Sequence, residues 1–440
     1  MGYGTGVLRA YYAVTFMRGL TTGVAGTTSL YISKQTGLPQ HWIFFARGLG
    51  LTLGPLIFGK VIGRMVWSGE SQSGWTLLLV CKAIAEVAII RVTSGALLFF
   101  CFFVIGIVMV VLDVSATIHV TRIYGKKCGL PLLIYYTLYG IACILAPWIS
   151  IGLMLHSWDA LALTDLLIAV AVGSRRLFVG KPRNWKAKVR GLALASPRCE
   201  KQEPADEGFV PANVLRAGLT GVFIVQATET AMSSWAFTYV KSELGIGVKV
   251  AALFPTLFYT SFTVTRGIVM PISNAFLPSL FVQLGVLIGV VASFSFYMLA
   301  MQLQSEYKAA LDLSGLQAED FVLVESVSDM NLKQKLLLLC VALSGAGSCP
   351  LYPMLLSSMR QHGNLSLQQQ SWYSTTASVG VALGVWAPGI LQLPSFSFFG
   401  SLLMFFVTSS YRRVFPWTKP VDPYPQVPEF HLTELADDGK

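Results

Sequence analysis

The chain has 440 residues, of which 54% are hydrophobic and only 12% are charged, whereas soluble domains carry about 25% charged residues. With a mean hydropathy of +0.62, this composition excludes a soluble globular protein. The formal net charge of +10 therefore has to be interpreted by its position relative to a membrane.

Apolar segments long enough to cross a membrane recur along the whole chain. A helix that spans the hydrocarbon core needs about 20 mostly apolar residues, and about twelve segments approach or exceed this length. We therefore predict an all-α polytopic membrane protein with twelve transmembrane helices. The predicted spans are 9–32, 42–66, 74–92, 95–120, 130–154, 159–174, 212–240, 247–272, 276–302, 335–358, 371–391 and 396–411.

Basic residues are concentrated in alternate loops. One set of loops holds Lys60, Arg64, Arg122, Lys126, Lys127, Arg360, Arg412, Arg413, Lys419 and nine basic residues between Arg175 and Lys201. The intervening loops hold few cations, and the longest of them, 303–334, is rich in acids. The positive-inside rule then predicts that both termini and the central loop are cytoplasmic. We interpret the central basic run as an orientation signal, and we expect no nucleic-acid partner.

The hydrophilic stretch 175–211 divides six predicted helices from six. Its Pro, Glu, Lys and Arg content predicts a basic cytoplasmic linker between an N-terminal bundle, 1–174, and a C-terminal bundle, 212–411. The remaining residues, 412–440, are predicted to form a disordered cytoplasmic tail. A weak similarity between SLYISKQTGL (29–38) and WAFTYVKSELGI (235–246) favours two pseudo-symmetric halves. Two such bundles can rock about a site near the membrane midplane.

Several short motifs resemble one transporter family. The stretch ISKQTGLPQHWIFFARGLGLTLGPLIFGKVIGRM (32–65) resembles helices 1 to 3 of the major facilitator superfamily. More narrowly, it resembles the branch with the sodium-dependent glucose transporters of animals and the bacterial fucose permease. The motifs that match this branch are KQTG (34–37), ARGLG (46–50), Leu112-Asp113 followed by GKKCG (125–129), ETAMSSWAFTY (229–239) and SGAGSCPLYPMLLSS (344–358). The resemblance implies a major facilitator fold and transport of a hexose-type sugar.

The sequence also departs from the family pattern in two places. The helix 2–3 signature of the superfamily holds an aspartate before its arginine, whereas residues 54–64 keep the glycines and Arg64 without an acid. The fucose permease carries an acid in helix 1, whereas this predicted helix 1 offers only Thr and Ser hydroxyls there. These departures weaken the expectation of the usual cytoplasmic latch and of coupling through helix 1.

Asp113 places a carboxylate inside the fourth predicted span. A charge at the bilayer centre costs at least about 2.5–3.5 kcal/mol on insertion scales, so this side chain should face a partner, the bundle interior or water. We predict that Asp113 is a coupling residue, with H⁺ or Na⁺ as the coupling ion and no other cofactor. The alternative is a structural acid held in a fixed ion pair with Arg47 or Arg18.

A polar stripe marks the seventh predicted helix. At 100° per residue, Gln226, Glu229, Thr230 and Ser233 share one face. We predict substrate contacts from Gln226, Glu229 and Thr230, and a coupling role for Glu229 as well. Hydrogen bonding between helices is the alternative explanation of such a stripe.

Further candidates come from the resemblance and from residue type. Trp235, Tyr139 and Arg47 are predicted substrate contacts, with snorkelling to the exoplasmic surface as the alternative for Arg47. The predicted gating residues, where small side chains allow close helix packing, are Gly54, Gly59, Gly63 and Arg64. Lys82 and Glu86 are spaced i, i+4 and are expected simply to neutralise each other.

Enzyme motifs of the GxxxxGK[ST], HExxH and GxSxG types do not occur in the sequence. The leading hypothesis is therefore secondary, alternating-access transport of a small polar solute, most simply a hexose-type sugar, by a monomer. The membrane would be the plasma membrane or that of an organelle. Two alternatives remain open: a carrier of a nucleoside, amino acid or organic ion, and a transporter-like receptor or scaffold that moves nothing.

Overall fold

The structure, a computed structural model, is helical through most of the residues that it describes. It describes residues 2–68, 71–124, 129–179, 210–272, 278–314, 322–360, 362 and 367–411, without the side chains at several helix ends, among them 58–68, 121–124 and 175–179. In these ranges the β pairing is limited to one isolated bridge between Ile246 and Val324. The all-α prediction is confirmed.

Each predicted span corresponds to a helix or to a pair of consecutive helices. The first six are α1 Gly2–Thr36, α2 Gln40–Ser68, α3 Ser71–Ile89, α4 Gly95–Tyr124, α5 Gly129–Leu153 and α6 Ser157–Val179. The others are α7 Ala212–Glu243, α8 Leu253–Ile272, α9 Pro278–Ser314, α10 Leu332–Ser348, α11 Leu351–Arg360, α12 Leu367–Trp386 and α13 Leu393–Ser410. Single turns at Val248–Ala251 and Pro388–Leu391 precede α8 and α13.

Length and hydropathy alone identify seven segments of the described chain as able to cross a membrane, and one of them, Ile134–Ser174, covers both α5 and α6. The tenth predicted span is interrupted between α10 and α11, where Pro350 lacks the backbone N–H that would continue the ladder. A second segment, Leu332–Met359, likewise covers two helices, α10 and α11.

Two predicted boundaries are wrong. Helix α9 continues to Ser314 instead of ending at 302, because the polar stretch QLQSEYKAALDLS is rich in good helix formers. Helix α6 runs to Val179, past the predicted start of the linker at 175. The predictions for most of the linker and for the tail 412–440 fall outside the described residues.

The helices form two groups that meet along three pairs. In the first group α1 packs on α5, α2 on α4 and α3 on α6; in the second α7 packs on α12 and α13, and α10 on α8 and α9. The groups meet where α1 contacts α7, α2 contacts α12 and α5 contacts α8. The turn Pro388–Leu391 of the second group also contacts α2.

Helices α2 and α4 cross with their backbones in direct contact. A Cβ atom on Gly106 would meet the carbonyl oxygen of Arg47, and one on Gly50 would meet the carbonyl oxygen of Phe103. Glycine at both positions is therefore required for this approach, which is how transmembrane helices without a hydrophobic driving force gain packing contacts.

We expect Gly106→Ala to lower the free energy of unfolding by about 1–3 kcal/mol, because the added methyl group overlaps a backbone atom that cannot rotate away. Reversible unfolding of the reconstituted protein by SDS measures this change. Gly289→Ala is the matched control, because a Cβ there meets nothing within 4 Å. Equal stability of the two variants would contradict the prediction.

Candidate functional site

At one end of the bundle the two halves are closed against each other. The rings of Phe44 and Trp235 lie 5.4 Å apart, and Phe45 lies 6.2 Å from Trp386. Lys241 Nζ donates a hydrogen bond of 2.7 Å to the hydroxyl of Tyr31. This end holds the α1–α2 and α7–α8 connections, and the predicted orientation makes it the exoplasmic end. We call these residues the exoplasmic layer.

Farther along α7, none of the residues of the predicted polar stripe is fully buried. Gln226, Glu229, Thr230 and Ser233 are all partly exposed, whereas several neighbours at the same depth, Val225, Ala227, Ala231 and Met232, are buried. Gln226 Nε2 donates to Glu229 Oε2 at 3.0 Å. The four residues share one face, as the helical period requires.

An arginine of α8 supplies the charge near Glu229. Arg266 is close enough to attract this carboxylate electrostatically, and its guanidinium lies 4.6 Å from the ring of Phe262. The same guanidinium lies 5.6 Å from the ring of Tyr136, which belongs to α5 in the other half. The stripe on α7 is thus connected to the N-terminal half through Arg266.

Asp113 lies on the facing side of the N-terminal half and forms an ion pair with Arg18. Tyr135 donates a hydrogen bond of 2.9 Å to the same carboxylate oxygen, and Arg18 also lies 4.9 Å from the ring of Tyr139. The side chains of Arg18 and Asp113 remain 21% and 23% exposed. Arg18, rather than Arg47, is the partner of Asp113, and the pair is still accessible.

Trp235 lies in the exoplasmic layer. It is 8% exposed, and its Nε1 donates to the carbonyl oxygen of Val385 at 2.8 Å within the exoplasmic layer. The physical reason is the helical period: six residues at 100° each place Trp235 about 120° around α7 from Glu229. In this conformation it is not on the polar face.

Arg47 does not snorkel to the exoplasmic surface. It begins the third turn of α2, about 10 Å along the helix from Gln40, and is only 2% exposed. Its guanidinium lies 5.9 Å from the Phe44 ring and interacts electrostatically with Tyr139 and Tyr259. This inward orientation places Arg47 between the exoplasmic layer and the partly exposed site.

Of the predicted gating residues, only Gly54 lies where the structure describes the contacts. Gly54 packs within the N-terminal half, against Val110 and Ile107 of α4, whereas Gly59, Gly63 and Arg64 lie in a part of α2 whose side chains the structure does not describe. One close approach between the halves occurs at Gly48, where a Cβ atom would lie 2.8 Å from the Cβ of Ala382. The sequence shows the ARGLG motif but cannot indicate which partner helix it meets.

A buried charge network in the N-terminal half contains the predicted Lys82–Glu86 pair and one acid that the sequence analysis missed. Lys82 Nζ donates to Glu86 Oε1 at 2.6 Å, to the hydroxyl of Thr21 at 2.9 Å and to Asp165 Oδ2. The three charged side chains are at most 2% exposed. The i, i+4 spacing indicates the Lys82–Glu86 pair, but Asp165 joins it only because α6 packs against α3. Its signal in the sequence is an acid inside an apolar span.

Comparison with known proteins gives the same architecture. No protein-family model matches the chain. The chain is 23% identical over 373 residues to "Major facilitator superfamily domain-containing protein 4A" of Mus musculus, covering 64% of this chain and 72% of that protein. The protein of the same name from Homo sapiens is 24% identical over 377 residues, with the same coverage.

Solved structures match over nearly the whole length. A D-xylose–proton symporter superposes with a TM-score of 0.66 at 10% identity, covering 96% of this chain and all (100%) of that one. A peptide transporter bound to sulfate gives 0.61 at 14% identity, covering 94% and 96%. The fucose–proton symporter of E. coli gives 0.55 at 14% identity, covering 94% and 99%. The chain is thus an integral, multi-pass membrane protein with the major facilitator transporter fold.

Proposed function

We propose that the protein is a secondary transporter that moves a small polar solute by alternating access. The observation that carries the proposal is the contrast between the two ends of the central region. The halves pack together in the exoplasmic layer, while the polar stripe on α7 and the Arg18–Asp113 pair remain partly exposed beyond it. An alternating-access carrier in a conformation that is closed on one side has such an arrangement: a sealed end and an accessible polar site.

The chemistry of the accessible residues supports a hydroxylated solute. Gln226, Glu229, Thr230 and Ser233 offer amide, carboxylate and hydroxyl groups that can exchange hydrogen bonds with solute hydroxyls. Tyr139 supplies an aromatic face next to them. The motif resemblance and the xylose and fucose symporters among the matching structures favour a hexose-type sugar, taken up across a membrane whose cytoplasmic side holds both termini.

Asp113 and Glu229 are the proposed coupling residues, with H⁺ or Na⁺ as the coupling ion. An ionisable side chain inside a membrane bundle is a functional candidate because of its insertion cost. Asp113 is accessible and also held by Arg18 and Tyr135, so a change in its charge would release or restore an ion pair between α1 and α4. That ion pair is the element through which ion binding would bias the conformation.

We expect Asp113→Asn to abolish gradient-driven accumulation of labelled hexose in proteoliposomes, while exchange at equilibrium persists. The amide keeps the size of the side chain but cannot carry the charge that responds to the ion. Uptake would be measured without a gradient, with an inward H⁺ gradient and with an inward Na⁺ gradient. Asp159→Asn is the matched control, because Asp159 forms an exposed pair with Arg91 at 3.0 Å on the periphery.

Each outcome bears on a separate part of the proposal. Accumulation that survives in Asp113→Asn would remove Asp113 from coupling and leave Glu229 as the candidate. Absence of hexose flux under every gradient would overturn the sugar assignment, and absence of flux for nucleosides, amino acids and organic ions as well would overturn transport itself.

A further inference from the structure

Arg47 differs from every other buried charge that the structure describes. The buried charged residues in the described ranges are Arg47, Lys82, Glu86 and Asp165. Three of them, all except Arg47, form one hydrogen-bonded network. Among the described residues, no carboxylate lies within 4.0 Å of Arg47, and its Nε and Nη1 atoms have no hydrogen-bond partner. Arg47 thus carries a buried charge without a counter-ion.

The free-energy cost of burying the unpaired guanidinium of Arg47 indicates that a bound group compensates its charge. Burying an ionised group without a partner costs several kcal/mol, and the guanidinium of arginine keeps its charge in proteins. The aromatic ring of Phe44 and the hydroxyls of Tyr139 and Tyr259 provide only partial compensation. A guanidinium held in this way is a preorganised binding group for an anion, since its N–H donors already point into a region shielded from water.

Arg47 also lies where a transported solute would pass. It lies on α2, next to Tyr139 of α5 and Tyr259 of α8, so three helices from both halves surround it. Tyr259 also interacts with Ser233 of the polar stripe, and Tyr139 is partly exposed. The guanidinium is therefore adjacent to the accessible site and below the exoplasmic layer that closes it.

The charges that border the partly exposed site occur in pairs. Arg18 is paired with Asp113, and Arg266 attracts Glu229. The Lys82 network carries one more carboxylate than cations, but its three charged side chains are buried within the N-terminal half and form no ion pair with Arg47, whose charge remains uncompensated. A neutral sugar would not change this excess, whereas a solute carrying one negative charge would neutralise it. A phosphate ester, with a charge of about −1.5 to −2 at pH 7, would leave the site negative.

We propose that Arg47 binds the carboxylate of the solute, and that the solute is a small hydroxylated carboxylic acid, such as a sugar acid. This inference rests on the proposed transport function and specifies its substrate class. The carboxylate would pair with Arg47, and the hydroxyls would bond with the stripe on α7. In the conformation described, Arg47 lies at the closed end of the pathway, where it would bind this carboxylate.

The experiment uses pairs of solutes that differ only in one carboxylate. Uptake and binding by the full-length protein in proteoliposomes would be compared for glucose against glucuronate and galactose against galacturonate, with glucose 6-phosphate as a dianionic probe. We expect the acids to be preferred over the neutral sugars by at least about tenfold, the factor for a hydrogen-bonded charged group. Ligand-induced thermal stabilisation provides a second readout that does not need flux.

Variants of Arg47 test the assignment to this residue. Arg47→Gln should remove the preference for the acids, and Arg47→Lys should retain part of it, because lysine keeps the charge without the planar donor set. Arg91→Gln, an exposed arginine at the periphery, is the matched control and should keep the wild-type preference. The thermal unfolding midpoint of each variant without ligand shows whether that variant folds. The preference of the wild-type protein for the acids over the neutral sugars tests the substrate class without any variant.

The outcomes separate this inference from the proposed function. Uptake of neutral hexoses in preference to their acids, or preference for the phosphate ester, would overturn the inference and leave transport intact. An acid preference unchanged in a folded Arg47→Gln protein would overturn the role of Arg47. Absence of binding and flux for both kinds of sugar would overturn the inference and the sugar assignment together.

Discussion

Replacing Lys82 by methionine is expected to lower the free energy of unfolding by about 3–5 kcal/mol, the loss typical of breaking a buried ion pair. Lys82 is the only cation of its network within the described residues, and Glu86 and Asp165 are both fully buried. Methionine keeps most of the apolar volume but leaves two carboxylates facing each other without a counter-ion. One oxygen on each carboxylate already lacks a hydrogen-bond partner. No neighbouring donor is therefore in place to replace the hydrogen bonds that Lys82 donates.

Two controls separate charge imbalance from packing. Removing all three charges together, as Lys82→Met with Glu86→Gln and Asp165→Asn, should recover most of the lost stability, because no buried charge then remains unpaired. Lys333→Met removes an exposed pair with Glu306, whose side chains are both 45% exposed, and should cost at most about 1 kcal/mol. SDS-induced unfolding in bicelles measures all three. A single Lys82→Met variant as stable as Lys333→Met would contradict the prediction.

Adding one methyl group at Gly48 is expected to shift the protein away from the conformation closed at the exoplasmic layer. The new Cβ atom would lie 2.8 Å from the Cβ of Ala382, across the contact between α2 and α12. Overlap of this kind costs about 1–3 kcal/mol, which corresponds to a change of about 5- to 150-fold in a two-state equilibrium. Because the overlap lies between the halves, their separation relieves it.

Hydrogen exchange followed by mass spectrometry measures this shift. In Gly48→Ala, peptides from the exoplasmic ends of α2 and α12 should exchange faster, while peptides from α3 and α6 stay unchanged. Gly289→Ala is the matched control, because a Cβ there meets nothing within 4 Å, and it should keep the wild-type exchange. Unchanged exchange in Gly48→Ala, or the same increase in Gly289→Ala, would contradict a steric contact at Gly48.

The sequence was informative where a single helix carries the information. The period of 3.6 residues places Gln226, Glu229, Thr230 and Ser233 on one face of α7, and each predicted apolar span contains a described helix or a pair of helices, although α6 and α9 extend past their predicted ends. The same period directs Trp235 away from that face, since six residues do not return to the starting direction. Its contact with substrate stays a prediction.

The sequence was uninformative where two helices decide the outcome. Asp113 has two possible arginine partners in the sequence, and only the packing of α1 against α4 selects Arg18. Asp165 joins Lys82 through contact between α3 and α6, although the two residues are 83 positions apart. Gly48 contacts the other half and Gly54 does not, because α12 packs on α2 at the turn that holds Gly48.

Composition, hydropathy and charge distribution by themselves indicated an all-α polytopic membrane protein, since apolar spans of about 20 residues fit helices that cross the hydrocarbon core. They also identified the acids inside those spans. Only the tertiary structure decided which charges pair, because pairing depends on the helices that adjoin in space. It leaves Arg47 as the buried charge without a partner, a property that no residue type or spacing can reveal.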